Sequence, residues 1–202
     1  ARSRDDDLFR LPIDRVFTMK GTGTVVTGTV WTGNVGRDAV VTVFPPGRTS
    51  RVRGIQHHGK AVKSANAGER IALALQDLDV SEISRGSSVV AGGEWTPPSR
   101  VVADLRIETE PHAIGPRTRL RFHLGTADVG ARLTRAAANR DQPEERLAAT
   151  LVFGAPLLVR GVVRVVRRLP SPAAPIGGGC RMAPFPPAAP SGKRGALYRP
   201  RS

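Results

Sequence analysis

The sequence predicts an all-β chain: two consecutive small β-barrels, of short strands and tight turns, followed by a disordered basic C-terminal tail. Three features carry that expectation. Short runs rich in Val, Thr, Ile and Leu recur along most of the chain, and such residues suit a pleated, half-buried surface. Gly, Pro, Asn and Asp separate these runs at short intervals. No long segment keeps the helical period of about 3.6 residues. Strands that are short, numerous and punctuated by turns close into barrels.

Strand preference dominates from Val16 to about Val90. TGTVVTGTVW (22–31) is dense in β-branched residues, and the TGNVGR that follows it (32–37) supplies glycines for a turn. DAVVTVF (38–44) is a second strand and stops at Pro45-Pro46-Gly47. RTSRVRGIQHH (48–58) begins with alternating charged and apolar positions, as a strand with one wet face does. RIALALQ (70–76) and SSVVAG (87–92) add further strands, and DLDVSEISRG between them has room for one helical turn. GGEWTPPS (92–99) gathers Gly and Pro and marks a boundary. Beyond it, RVVADLRIE (100–108), RLRFHLG (119–125), RLAATLVFG (146–154) and RGVVRVVRR (160–168) outline a second β-domain, with a charged loop over 136–145. The expected division is a linker over 1–7, a barrel over 8–95, a barrel over 99–187 and a Pro/Arg-rich tail over 188–202.

The charge balance narrows the partners. Among 202 residues, 31 Lys and Arg stand against 17 Asp and Glu, a formal charge of +14. So basic a chain attracts polyanions, whether RNA, DNA or an anionic membrane. The last acidic residue is Glu145, and the Pro-, Ala- and Arg-rich end buries too little apolar area to offset its ordering entropy. The longest apolar run, 151–159, is broken by Gly154 and Pro156 and falls short of the ~18 residues of a membrane helix. ARSRDDDLFR has no apolar targeting segment. The single Cys180 excludes an internal disulfide and a multi-thiolate zinc site. A cytoplasmic location is expected, and Ala1 in place of Met suggests a piece of a longer protein.

Catalytic signatures are missing from the sequence. The glycines of KGTGTVVTG (20–28) lead into strand material, whereas a nucleotide loop leads into a helix whose N-terminus cradles phosphate. Neither Gly-Lys pair is followed by Ser or Thr. Gly177-Gly178-Gly179 reads as a tight bend in a strand. His57 and His58, taken as neighbours on one strand, point to opposite faces and do not share a metal. His112 and His123 stand apart without ligand-spaced carboxylates, and His123, between Phe122 and Leu124, reads as a packed strand residue. With no HExxH or GxSxG motif, the residues describe a binding module rather than an enzyme.

The wording of the segments adds a resemblance. FRLPIDRVFTMKGTGTVVTGTVWTGNVGR (9–37) and RVRGIQHHGKAVKSANAGERIALALQDLDVSEISRGSSVV (51–90) resemble the second domain of translational GTPases of the elongation factor Tu class. Within that class LPIDRVFTMKGTGTVVTGTV, VRGIQHHGK and LRFHLGTADVGARL (120–133) are similar to the selenocysteine-specific elongation factor family, as is APIGGGCRMAPFPP towards the end. The resemblance implies barrels like elongation factor Tu domains 2 and 3, selenocysteyl-tRNA as ligand and the ribosome as destination. It also implies a partner GTPase domain holding GTP and Mg, none of whose nucleotide motifs occurs here. No cofactor, metal, membrane or DNA is expected for this chain.

The same resemblance marks Asp14 in PIDR and Arg70 in AGER as the charged pair around the selenocysteine side chain, with Glu69 near the terminal adenosine. A selenol is far more acidic than a thiol, so at neutral pH it is largely an anion. A guanidinium in a partly desolvated pocket favours that anion over the neutral hydroxyl of serine. Arg121, Arg132 and Arg167 lie in segments resembling those that face tRNA, where phosphates are the natural partners. The alternatives are a general elongation factor Tu-like module, or an RNA-binding β-barrel protein without a GTPase.

Overall fold

The computed structural model describes residues 8–93, 95–106, 118–138, 146–158, 162–168 and 175–184. All regular elements among them are strands apart from one 3-10 turn at Val80–Glu82, capped by the Asp79 side chain accepting from the Ser81 amide at 2.8 Å. That turn falls in the DLDVSEISRG segment. No helix among the described residues is long and apolar enough to cross a membrane.

The first unit contains β1 (Arg10–Met19), β2 (Gly23–Thr29), β3 (Asn34–Gly36), β4 (Val40–Phe44), β5 (Arg48–His57), β6 (Lys60–Val62), β7 (Ser64–Asn66), β8 (Arg70–Leu75) and β9 (Ser88–Val90). The sheet order is β4-β9-β1-β2-β8-β5-β6, and an extra β4–β5 pairing closes six of these strands into a ring. The small β3–β7 pair stands apart from it. Inward residues alternate along the strands and meet in a core that includes Leu11, Ile13, Val26, Val52, Leu73 and Val89.

The second unit is a closed barrel in the order β10-β13-β12-β11-β14-β15. Its strands are β10 (Arg100–Arg106), β11 (Arg119–Leu124), β12 (Ala127–Ala138), β13 (Arg146–Phe153), β14 (Val162–Arg168) and β15 (Pro175–Pro184). Val101, Leu120, Leu133 and Leu151 fill it, and Phe122 meets Phe153 edge to face at 5.5 Å. Closure leaves no free sheet edge in this barrel.

Four local expectations change. Strand β1 begins at Arg10, not Val16, and tolerates Pro12 because the next amide, Ile13, supplies the bond to Ser87 at 2.8 Å. The charged loop starts later, since β12 runs through Ala138, and residues 139–145 lie outside the described set. His58 is not a strand residue: its φ of 49° and the 76° of Gly59 form a two-residue hairpin turn. That turn brings the His57 and His58 rings to 4.3 Å, although among the described residues no third ligand makes a metal cluster. His123 is part-exposed and 3.8 Å from Asp128 rather than packed in the core. The linker over 1–7 and the tail over 188–202 also lie outside the described residues.

Candidate functional site

Asp14 occupies a bulge. Ile13 pairs with Gly28 and Arg15 with Thr27, so Asp14 is the extra residue on β1. A bulge bends its strand and re-aims a side chain. Gly28 permits the close approach, because a Cβ there would stand 2.2 Å from the Pro12 carbonyl oxygen and 2.8 Å from Leu11 Cδ2. Arg70 opens β8, opposite Thr29 on the intervening strand β2. Its Nη1 donates to Asp14 Oδ2 at 2.5 Å, and Thr27 Oγ1 donates to the other carboxylate oxygen at 2.5 Å. Fifty-six residues of sequence separate the two charges, and the β1-β2-β8 order brings them together.

Partial burial alone raises the Asp14 carboxyl. Hydrogen bonds from Arg70 and Thr27, with the charges of Arg70 and Arg15, outweigh it and hold the group below its ordinary value. Arg15 is thus a third charged member of this cluster, which sequence reasoning missed although it adjoins Asp14 in PIDR. The Arg70 side chain remains 55% exposed, so its remaining N–H groups are accessible to an anion. Because folded Asp14 titrates below its unfolded value, its stabilising contribution is complete above about pH 4 and disappears as pH falls through the folded value. The urea midpoint of wild type should therefore exceed that of Asp14→Asn at about pH 7, with the gap narrowing at about pH 3. A gap independent of pH would refute this account.

Glu69 lies next to Arg70 but serves the turn before β8: its Oε2 accepts from the Asn66 amide at 2.9 Å, and its own carbonyl accepts from Val30 at 2.9 Å. It joins no hydrogen bond or ion pair with Asp14 or Arg70 among the described residues. Beside the charged pair runs an open groove lined by Phe17, Met19, Val25, Gln56, Ala72 and Ala74, among others. Phe17 and Met19 are exposed large apolar residues, and the small Ala72 and Ala74 leave the groove its depth. The signal for it was available in β1, where both apolar residues fall on the outward face of an alternating strand.

On the second barrel, Arg121 forms a two-pronged contact with Asp128, through Nε at 3.0 Å and Nη2 at 2.6 Å. This raises the Arg121 guanidinium and lowers the Asp128 carboxyl, each chiefly through that hydrogen bonding. Arg132 is exposed and directly opposite the exposed Arg119. Neither has a carboxylate partner among the described residues. Like charges placed opposite one another oppose sheet pairing, and an anion between them relieves the repulsion. Arg167 is in register with Phe122, while Arg168 stands opposite Arg121.

These barrels and the bulged charged site define a class. Residues 23–90 match the family model for elongation factor Tu domain 2, which sets the first barrel among translation factors of that kind. The chain is 39% identical over 181 residues to a selenocysteine-specific elongation factor of Desulfomicrobium baculatum, covering 89% of this chain and 28% of that protein. It is 34% identical over 161 residues to the Escherichia coli factor of the same name, covering 79% of this chain and 24% of that protein. The solved structure of translation elongation factor SelB from Methanococcus maripaludis, in its apo form, superposes with a TM-score of 0.75 at 25% identity, covering 90% of this chain and 43% of that one. Over most of its length the chain is thus homologous to selenocysteine-specific elongation factors, and it spans about a quarter of the length of these curated relatives.

Proposed function

We propose that this chain forms the aminoacyl-end and tRNA-binding part of a cytoplasmic selenocysteine-specific elongation factor, and holds selenocysteyl-tRNA for delivery to the ribosome. The observation that carries the reading is the Arg70–Asp14 pair, half-open to solvent beside an apolar groove. In this proposal Asp14 fixes one edge of the guanidinium and the free edge of Arg70 receives the selenolate, with Arg15 adding positive potential. The groove takes the flat face of the terminal adenosine against Phe17 and Met19. Glu69, next in the chain to Arg70, shapes the turn that borders this end. Arg132 with Arg119 holds phosphates of the tRNA body, as does Arg121 where a phosphate displaces Asp128, and Arg167 belongs to the same second-barrel set. The chain itself carries no cofactor, metal or catalytic residue; GTP and Mg are held by the partner GTPase domain.

The proposal separates two kinds of contact, which a salt titration distinguishes. Arg132→Ala should weaken seryl- and selenocysteyl-tRNA equally and reduce the salt slope by about one. Filter-binding isotherms across a salt series test this. Unchanged affinity and slope would remove Arg132 from the RNA face, and absence of any charged-tRNA binding by wild type joined to the family's GTPase domain would end the reading.

A further inference from the structure

Arg10 is a buried cation that neither the pocket nor the basic face uses. The residue is 5% exposed. Nη2 donates to the Leu158 carbonyl of the second barrel at 2.7 Å, and the guanidinium carbon lies 5.0 Å above the Trp31 ring centroid. Nε is buried with no partner, and no carboxylate pairs with Arg10 among the described residues. Burial pulls its pKa down to about 10, so it stays a cation at neutral pH.

A buried cation without a counter-ion is costly, and an apolar side chain would fill the place more cheaply. What the guanidinium adds is direction: one hydrogen bond and one stacked ring define a single angle between the barrels. The surroundings fit that use. Trp31 packs against the core of the second barrel. Its ring presses so close to Gly125 that a Cβ there would stand 2.7 Å from Trp31 Cζ2. At Gly86 of the first barrel a Cβ would stand 3.0 Å from Ala127 Cα.

We propose that Arg10 is the positioning residue of the inter-barrel joint, its guanidinium clamped between the Trp31 indole and the Leu158 carbonyl so that the second barrel keeps one orientation on the first. The strand that begins with Arg10 also carries Asp14, and Trp31 follows the strand that carries Thr27 and Gly28. The joint therefore sets the span between the Asp14–Arg70 site and the Arg119–Arg132 pair. Its use for tRNA rests on the function proposed above, but the joint itself does not.

The test needs no RNA. In this chain with Cys180→Ser, spin labels are placed at the exposed Lys60→Cys and Thr134→Cys, and their distance distribution is measured by pulsed electron resonance. Arg10→Met should melt no lower than the parent, while its distribution becomes about twice as broad or gains a second peak, as for domains held by an undirected interface. Arg10→Lys, which keeps the charge and an N–H donor, should restore part of the narrow peak. Distributions unchanged in both variants would overturn the proposal. If Arg10→Met does not fold, Arg10→Lys decides alone: a broadened peak supports the clamp and an unchanged one overturns it. Because tRNA is absent, failure here is distinct from failure of the selenocysteyl-tRNA reading, which the Arg70 comparison tests.

Discussion

Arg70→Ala, in this chain joined to its family's GTPase domain with GTP present, is expected to weaken selenocysteyl-tRNA more than seryl-tRNA on the same tRNA body. Phosphate contacts are common to both ligands and cancel in the ratio. Only the selenolate loses a counter-charge. A charge-assisted hydrogen bond in a desolvated setting is worth about 1.5–3 kcal/mol, but Arg70 is 55% exposed before ligand arrives, and exposure screens the interaction. The lower end of that range is therefore expected, about tenfold in relative affinity or ~1.4 kcal/mol. Asp14→Asn should act differently. It frees Arg70 from its orienting partner but leaves the cation in place, so the ratio of the two affinities should fall less than in Arg70→Ala. Side-by-side dissociation constants for both charged tRNAs measure this. An equal loss for both in Arg70→Ala would mean that Arg70 serves the RNA backbone or the fold.

The strands were legible wherever β-branched residues ran together, as in TGTVVTGTVW and RIALALQ, because pleated half-buried surfaces demand that composition. The start of β1 was not legible, since Pro12 and the charged Arg10 argue against a strand interior. Nor were the three-residue strands β3, β6 and β7, which are too short to show a period. The pairing of Asp14 with Arg70 came from family resemblance and not from the residues. A bulge leaves no mark in composition, and a contact spanning β2 depends on a register fixed by the whole barrel. Arg10 shows the same gap in another form. A lone Arg in a sequence reads as solvated, and only the docking of Leu158 and Trp31 buries it. His58 adjoins the last residue of β5 and its identity does not mark the turn, which shows only in its positive φ.

The largest effect on the fold is expected from Gly28→Ala. In most strands a glycine weakens pairing, and alanine is the better residue. Here the added methyl would stand 2.2 Å from the Pro12 carbonyl oxygen and 2.8 Å from Leu11 Cδ2, and Leu11 is fully buried. A flexible side-chain end can swing away, but the nearest atom is backbone, in a strand paired on both sides with β2 and β9. The clash is relieved only by moving β1 at its bulge. Overpacking of a tight interior costs about 1–3 kcal/mol, and a backbone obstacle puts this case near the top of that range. For a chain of this size ~3 kcal/mol lowers the melting temperature by about 6–12 °C. Because the displaced segment carries Asp14, the same substitution should also disorganise the Arg70 pair and, on the proposed function, reduce the preference for the selenocysteyl ligand. Gly130→Ala is the matched control, a strand glycine with nothing within 4 Å of the added methyl; its stability should change by no more than about 0.5 kcal/mol. Calorimetric melts of the two variants beside the parent decide the matter. If Gly28→Ala melts with Gly130→Ala, then β1 can yield at its bulge, and Gly28 is not what allows Asp14 to reach Arg70.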